Sequence, residues 1–118
     1  MTRKLVLFTA LAGGLALASA GVSSAKTYFG TVGPGATISF TNARGNAVGR
    51  VPTGRHTIKV RDRSSNHNFH LLGPGVNKKT RVGFVGGKTW TLTFVEGRYR
   101  YRCDPHREHM RGSFRAVA

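Results

Sequence analysis

Cys103, His106 and Met110 fall within eight residues, CDPHREHM, and Cys103 is the chain's single cysteine. A thiol, an imidazole and a thioether are soft or borderline donors for a metal ion. A lone cysteine cannot close an intramolecular disulfide. It is an inert buried side chain, one half of an intermolecular bridge, or a protected functional thiol. The donors beside it favour the last. A further histidine, His67, lies upstream in NHNFHLL. Two imidazoles, one thiolate and a weak thioether suit copper in a trigonal His₂Cys plane with a long axial Met. Zinc also accepts a Cys-His-His set, but a set that ends in Met fits copper better.

These donors must be brought together by the elements that carry them. In RYRYRC (Arg98–Cys103) side chains alternate faces. Arginines on a core face would be costly, so Tyr99, Tyr101 and Cys103 must point inward at the end of a strand. In HNFHLL (His67–Leu72) the same parity groups His67 with Phe69 and Leu71. His67 is therefore expected inward. His70 falls on the opposite face and is expected at the surface or rim. His109 is expected in a solvent-exposed loop, and His56 at a strand start without a site role.

Period-two alternation recurs through ATISFT (Ala36–Thr41), HTIKVRD (His56–Asp62), TWTLTFV (Thr89–Val95) and GSFRAV (Gly112–Val117). TYFGTVG (Thr27–Gly33) also reads as a strand. Gly, Pro and Asn separate these segments, with turns expected at Arg44–Asn46 and Pro52–Gly54. No helical stripe interrupts them. The expected fold is all-β: an antiparallel Greek-key sandwich or barrel.

The chain has 118 residues, room for one domain. Residues 1–25 read as a signal peptide: Arg3 and Lys4, the apolar run Leu5–Ala20, and small residues that allow cleavage after Ala20 or Ala25. The apolar run is shorter than the ~20 residues of a spanning helix. Residues 26–118 would then form the exported domain, outside the cell or in a periplasm, with no transmembrane segment. Disulfides persist in such compartments.

The charge is extreme, with 19 Lys and Arg against four acids and a formal net charge of +15. Such a field attracts acidic proteins, anionic cell surfaces and other polyanions. Nucleic acid is disfavoured by export and by the absence of an aromatic-basic binding signature. Four carboxylates in the whole chain, with no acid–base or nucleophile constellation, argue against an enzyme.

The pair His67–Asn68, then YRYRCDPH, then Met110 and a closing strand, resembles the cupredoxin family in its small plastocyanin-like and azurin-like members. The resemblance implies one type 1 copper ion held by His67, Cys103, His106 and Met110, with Asn68 bracing the site. It implies a one-electron carrier cycling Cu(I) and Cu(II). Copper delivery, storage or sequestration without electron transfer is the alternative. His106 would be the partly exposed ligand and the electron exit. Arg102, Arg107 and Arg111 surround that loop and point to an acidic redox partner or an anionic cell surface. A monomer is expected.

Overall fold

The computed structural model describes residues 24–118, so most of the predicted signal segment and the cleavage site after Ala20 lie outside the described residues. Among the described residues nine strands form two facing sheets. They are β1 (Thr27–Val32), β2 (Ile38–Thr41), β3 (Arg50–Pro52), β4 (Gly54–Asp62), β5 (His70–Gly73), β6 (Val76–Lys79), β7 (Gly86–Phe94), β8 (Gly97–Arg102) and β9 (Arg111–Val117). One sheet has the order β2-β1-β4-β7 and the other β3-β9-β8-β5-β6. A short 3-10 turn, Asp104–His106, follows β8. Among the described residues no helix is long and apolar enough to cross a membrane.

The sheets are mixed, not antiparallel as expected. β1 runs parallel to β4, and β3 parallel to β9. The reason is the crossover: β3 leaves for the second sheet, so β4 returns beside β1 in the same direction. Alternation identifies a strand but not the sheet it joins. Two strands also escaped the pattern. β3 occupies residues read in part as a turn, and β6 (VNKK) has one buried residue, so neither shows a period. His67–Phe69, predicted as the start of a strand, precede β5 as irregular chain.

Alternation did place the core. His56, Ile58, Val60 and Asp62 are the buried positions of β4, and Tyr99 is fully buried on β8. An aromatic spine joins the sheets. Phe114 stacks on Phe40 at 4.4 Å and on Tyr99 at 5.4 Å between ring centroids. Tyr101 stacks on Phe69 at 5.8 Å. Offset stacking adds to the apolar area that these rings bury. The Tyr99 hydroxyl accepts the Val95 N–H and donates to the carbonyl of Pro74 or Val95.

Phe69 lies beside the donor His67 in sequence, and its ring is seated by a glycine of the opposite sheet. A Cβ on Gly30 would lie 2.5 Å from Phe69 Cζ. Only a glycine lets the ring lie there. Gly30→Val is therefore expected to lower stability by about 1–3 kcal/mol through overpacking. Gly49→Ala, where an added Cβ meets nothing within 4 Å, is expected to stay near wild type. Urea unfolding of the two variants checks the contrast.

Candidate metal centre

The loop that follows β8 owes its shape to its own residues. Pro105 has no N–H and fits the first turn of a 3-10 helix. His106 N–H donates to the Cys103 carbonyl at 3.1 Å, and Met110 N–H to the His106 carbonyl at 2.8 Å. Cys103 N–H donates to the Met110 carbonyl at 3.0 Å, closing the loop on itself. The Cys103 and Met110 side chains are both buried, at 0% and 1% exposure.

His67 reaches the same point from the loop between β4 and β5. Its Nδ1 lies 3.5 Å from Cys103 Sγ and 3.1 Å from His106 Nδ1, and His106 Nδ1 lies 3.6 Å from Sγ. Bonds of about 2.0–2.3 Å from a shared ion separate donors by roughly 3.5 Å, so this triangle fits one transition-metal ion. Among the described residues it is the one His/Cys/carboxylate group gathered closely enough to hold a metal. His67 is buried and His106 half-buried, which leaves a single imidazole near solvent. Both histidines present Nδ1 to the sulfur. With Met110 buried at the end of the same loop, the donors are arranged as a copper site.

Around the donors lies a polar frame, of which Asn68 was the one member expected from the sequence. The Asn68 carboxamide donates to Asp104 Oδ2 at 2.9 Å and to the Thr80 carbonyl at 3.0 Å, and accepts the Asp104 N–H at 2.7 Å. Asp104 Oδ1 receives Arg102 Nε at 2.8 Å and faces His70 Nδ1 at 2.8 Å. Thr80 Oγ1 accepts the Phe69 N–H at 2.9 Å. Asp62 accepts the Ser64 N–H at 3.1 Å and lies 3.5 Å from Thr80 Oγ1. Burial pushes the Asp62 carboxyl up, opposed by its bonds from Ser64 and Thr80 and by the charge of His67. Burial also acts to raise Asp104. The bonds from His70, Asn68 and Arg102 outweigh it and hold Asp104 well below the usual carboxylate range.

His70 departs from expectation. It does lie on the outer face, opposite Arg102 in the ladder, yet it is buried rather than at the surface. Its Nε2 faces Asn77 Oδ1 at 2.7 Å while its Nδ1 faces Asp104. Asp104, Asn77 and Arg102 cover it, a cover that face parity cannot reveal. The signal that could have found Asp104 was its rarity: one of four acids in the chain stands next to the only cysteine. His109 is exposed. His56 is buried, with Nδ1 accepting the Lys26 N–H and Nε2 donating to the Pro52 carbonyl, so it ties β4 to two neighbouring segments. Arg107 and Arg111 are exposed at the loop, while Arg102 is half-buried and committed to Asp104.

No family model matches the sequence, and no curated protein matches it. Solved structures do. A point mutant of rusticyanin superposes with a TM-score of 0.59 at 18% identity, covering 80% of each chain. A second rusticyanin structure, described as a copper protein, gives 0.59 at 16% identity over 80% of each. Reduced rusticyanin gives 0.57 at 17% identity, covering 93% of this chain and 96% of that one.

Asp104→Ala removes an acceptor shared by three partners, so it is expected to cost about 1.5–3 kcal/mol at pH 7. Because the folded-state pKa of Asp104 is depressed, its contribution is full above the unfolded value of ~3.9 and is lost as pH falls below it. The stability gap between wild type and variant, measured by urea unfolding, should therefore narrow below about pH 4. With its two facing sheets, the donor triangle at one end and rusticyanins among its structural neighbours, the chain has the cupredoxin fold.

Proposed function

We propose that this protein is an exported type 1 copper protein that carries single electrons. The observation that carries the reading is the convergence of His67 Nδ1, His106 Nδ1 and Cys103 Sγ, 3.1–3.6 Å apart, on one mostly buried point. His67, Cys103 and His106 would hold the ion, and the Met110 thioether would be the fourth donor. Bound copper supplies a one-electron couple, Cu(I)/Cu(II). The chain supplies the rest. Cys103 and Met110 are shut away from water. The loop that bears three donors is closed by its own backbone bonds, and Asn68 and Asp104 tie it to the His67 segment. A site that cannot relax resists reshaping between oxidation states. His106, the half-buried donor, offers the shortest path to a partner.

The residues flanking that path are cationic. Arg107 and Arg111 stand exposed beside the ligand loop, so an acidic redox partner is the fitting one. Its association rate is expected to fall as ionic strength rises. Stopped-flow mixing across a salt series measures this, and a rate indifferent to salt rules the acidic partner out.

Titration of the purified metal-free protein with Cu(II) should produce an intense visible thiolate-to-copper band. Cys103→Ser is expected to abolish the band. His70→Ala is expected to keep it, since His70 faces away from the sulfur. Colour surviving the first change overturns the ligand assignment. Repeated reduction and reoxidation then separates carrier from courier. A carrier bleaches and recolours without losing copper. Copper released at each reduction supports delivery, storage or sequestration.

A further inference from the structure

From Gly97 to the C-terminus the chain carries six arginines and no lysine. Five of them lie on, or beside, the outer face of the five-stranded sheet. The register sets Arg98 directly opposite Arg115, and Arg102 directly opposite Arg111, across β8 and β9. Arg50 of β3 stands on the far side of Arg115. Arg50, Arg115 and Arg98 thus form a row across three strands, and Arg100 sits between the two opposed pairs. Like charges directly opposite one another destabilise a sheet. Among the described residues, the only arginine paired with a carboxylate is Arg102, through Asp104. A local conflict of this kind without compensation marks a functional surface.

The face is shaped as well as charged. Arg98, Arg100, Arg102, Arg107 and Arg111 line a groove of about 670 Å³, and Glu108 is its one acidic lining residue. Along β8 arginine positions recur at every second residue, about 7 Å apart along the backbone. Exclusive use of arginine favours oxyanions, because the planar fork binds them through paired hydrogen bonds. The groove's one aromatic lining residue, Tyr101, is half-buried, and the exposed large apolar side chains among the described residues, Val82, Val85 and Val95, lie elsewhere.

We infer that the arginine face of β8 and β9, the groove together with Arg115 beside it, binds an extended polyanion whose oxyanions recur at similar intervals, the chemistry of a phosphodiester-linked polymer. The bound chain lies along β8, with its charges shared between the strands. It supplies the counter-charge that the opposed arginines lack, and it anchors the protein independently of copper.

Fluorescence anisotropy with a base-free oligomer of deoxyribose phosphodiesters tests this on the full chain. The double variant Arg98→Ala/Arg115→Ala is expected to lose at least about tenfold in affinity. Its slope of log affinity against log salt should shrink by about 1.4, or 0.7 for each phosphate no longer neutralised. Lys78→Ala/Lys79→Ala removes equal charge from exposed positions at the edge of the same sheet and is expected to bind nearly as wild type. Arg98→Lys/Arg115→Lys keeps the charge without the fork and should recover only part of the affinity. The alanine pair should also melt no lower than wild type, since it relieves an opposed like-charge pair. Equal losses in the alanine and lysine-control pairs would show a nonspecific field and overturn the site. Tighter binding of polyglutamate or of a sulfated polysaccharide overturns the phosphodiester assignment. Retention of the visible copper band in the alanine pair shows that a binding loss comes from the groove and not from the metal centre.

Discussion

The reciprocal pair between Asn68 and Asp104 is the joint on which the metal end depends. β5 and β8 are hydrogen-bonded neighbours whose ladder ends at His70 and Arg102. Beyond that point the chains must diverge, since one becomes the His67 segment and the other the ligand loop. Asn68 continues the connection with its side chain, donating to the Asp104 carboxylate and accepting the Asp104 N–H. Two loops that would otherwise move independently are fixed in register. The distance from His67 Nδ1 to Cys103 Sγ follows from that register, because each donor is adjacent in sequence to one member of the pair.

Such a joint works only when its polar atoms are satisfied. Asn68 is buried, and an unpaired amide there would cost about 1–3 kcal/mol. Thr80 from the strand edge takes its remaining proton, while His70 and Arg102 complete the partners of Asp104. The fold beneath is correspondingly stiff. Phe69 sits flat against Gly30 of the other sheet, and the aromatic spine through Phe40, Phe114 and Tyr99 leaves little room for the sheets to slide.

The positive charge is distributed by role. One arginine, Arg102, is drawn into the frame, where it joins His70 and Asn68 in holding the Asp104 carboxyl below the usual carboxylate range against the opposing effect of burial. Arg107 and Arg111 stand exposed at the loop that bears Cys103 and His106, at the end of the arginine groove nearest the donors. The rest of the ladder, Arg50, Arg98, Arg100 and Arg115, extends along the sheet away from the donors. Of these, Arg50, Arg115 and Arg98 oppose one another across three strands, which works against the sheet. Their arrangement makes sense as a surface held ready for an anionic chain.

Much of this was written locally. Alternation in RYRYRC required Tyr99 and Cys103 to face the core, because the other parity would bury arginines, and the donor types named copper before any fold was known. Residue spacing likewise put three donors on one loop. What local pattern could not carry were relations between distant segments. It missed the parallel pairing of β1 with β4, which arises from a strand departing to the second sheet. It placed His70 at the surface, because parity reports a face and not what covers it. It was silent on Asp104, whose partners come from positions 68, 70 and 102. The sequence by itself determined the donors, their order and the inward strand faces, since these are matters of residue type and a two-residue period. Only the tertiary structure decided that His67 meets Cys103 and His106 at one point and that arginines oppose arginines, because both depend on strand register, and register is settled by packing across the whole sandwich.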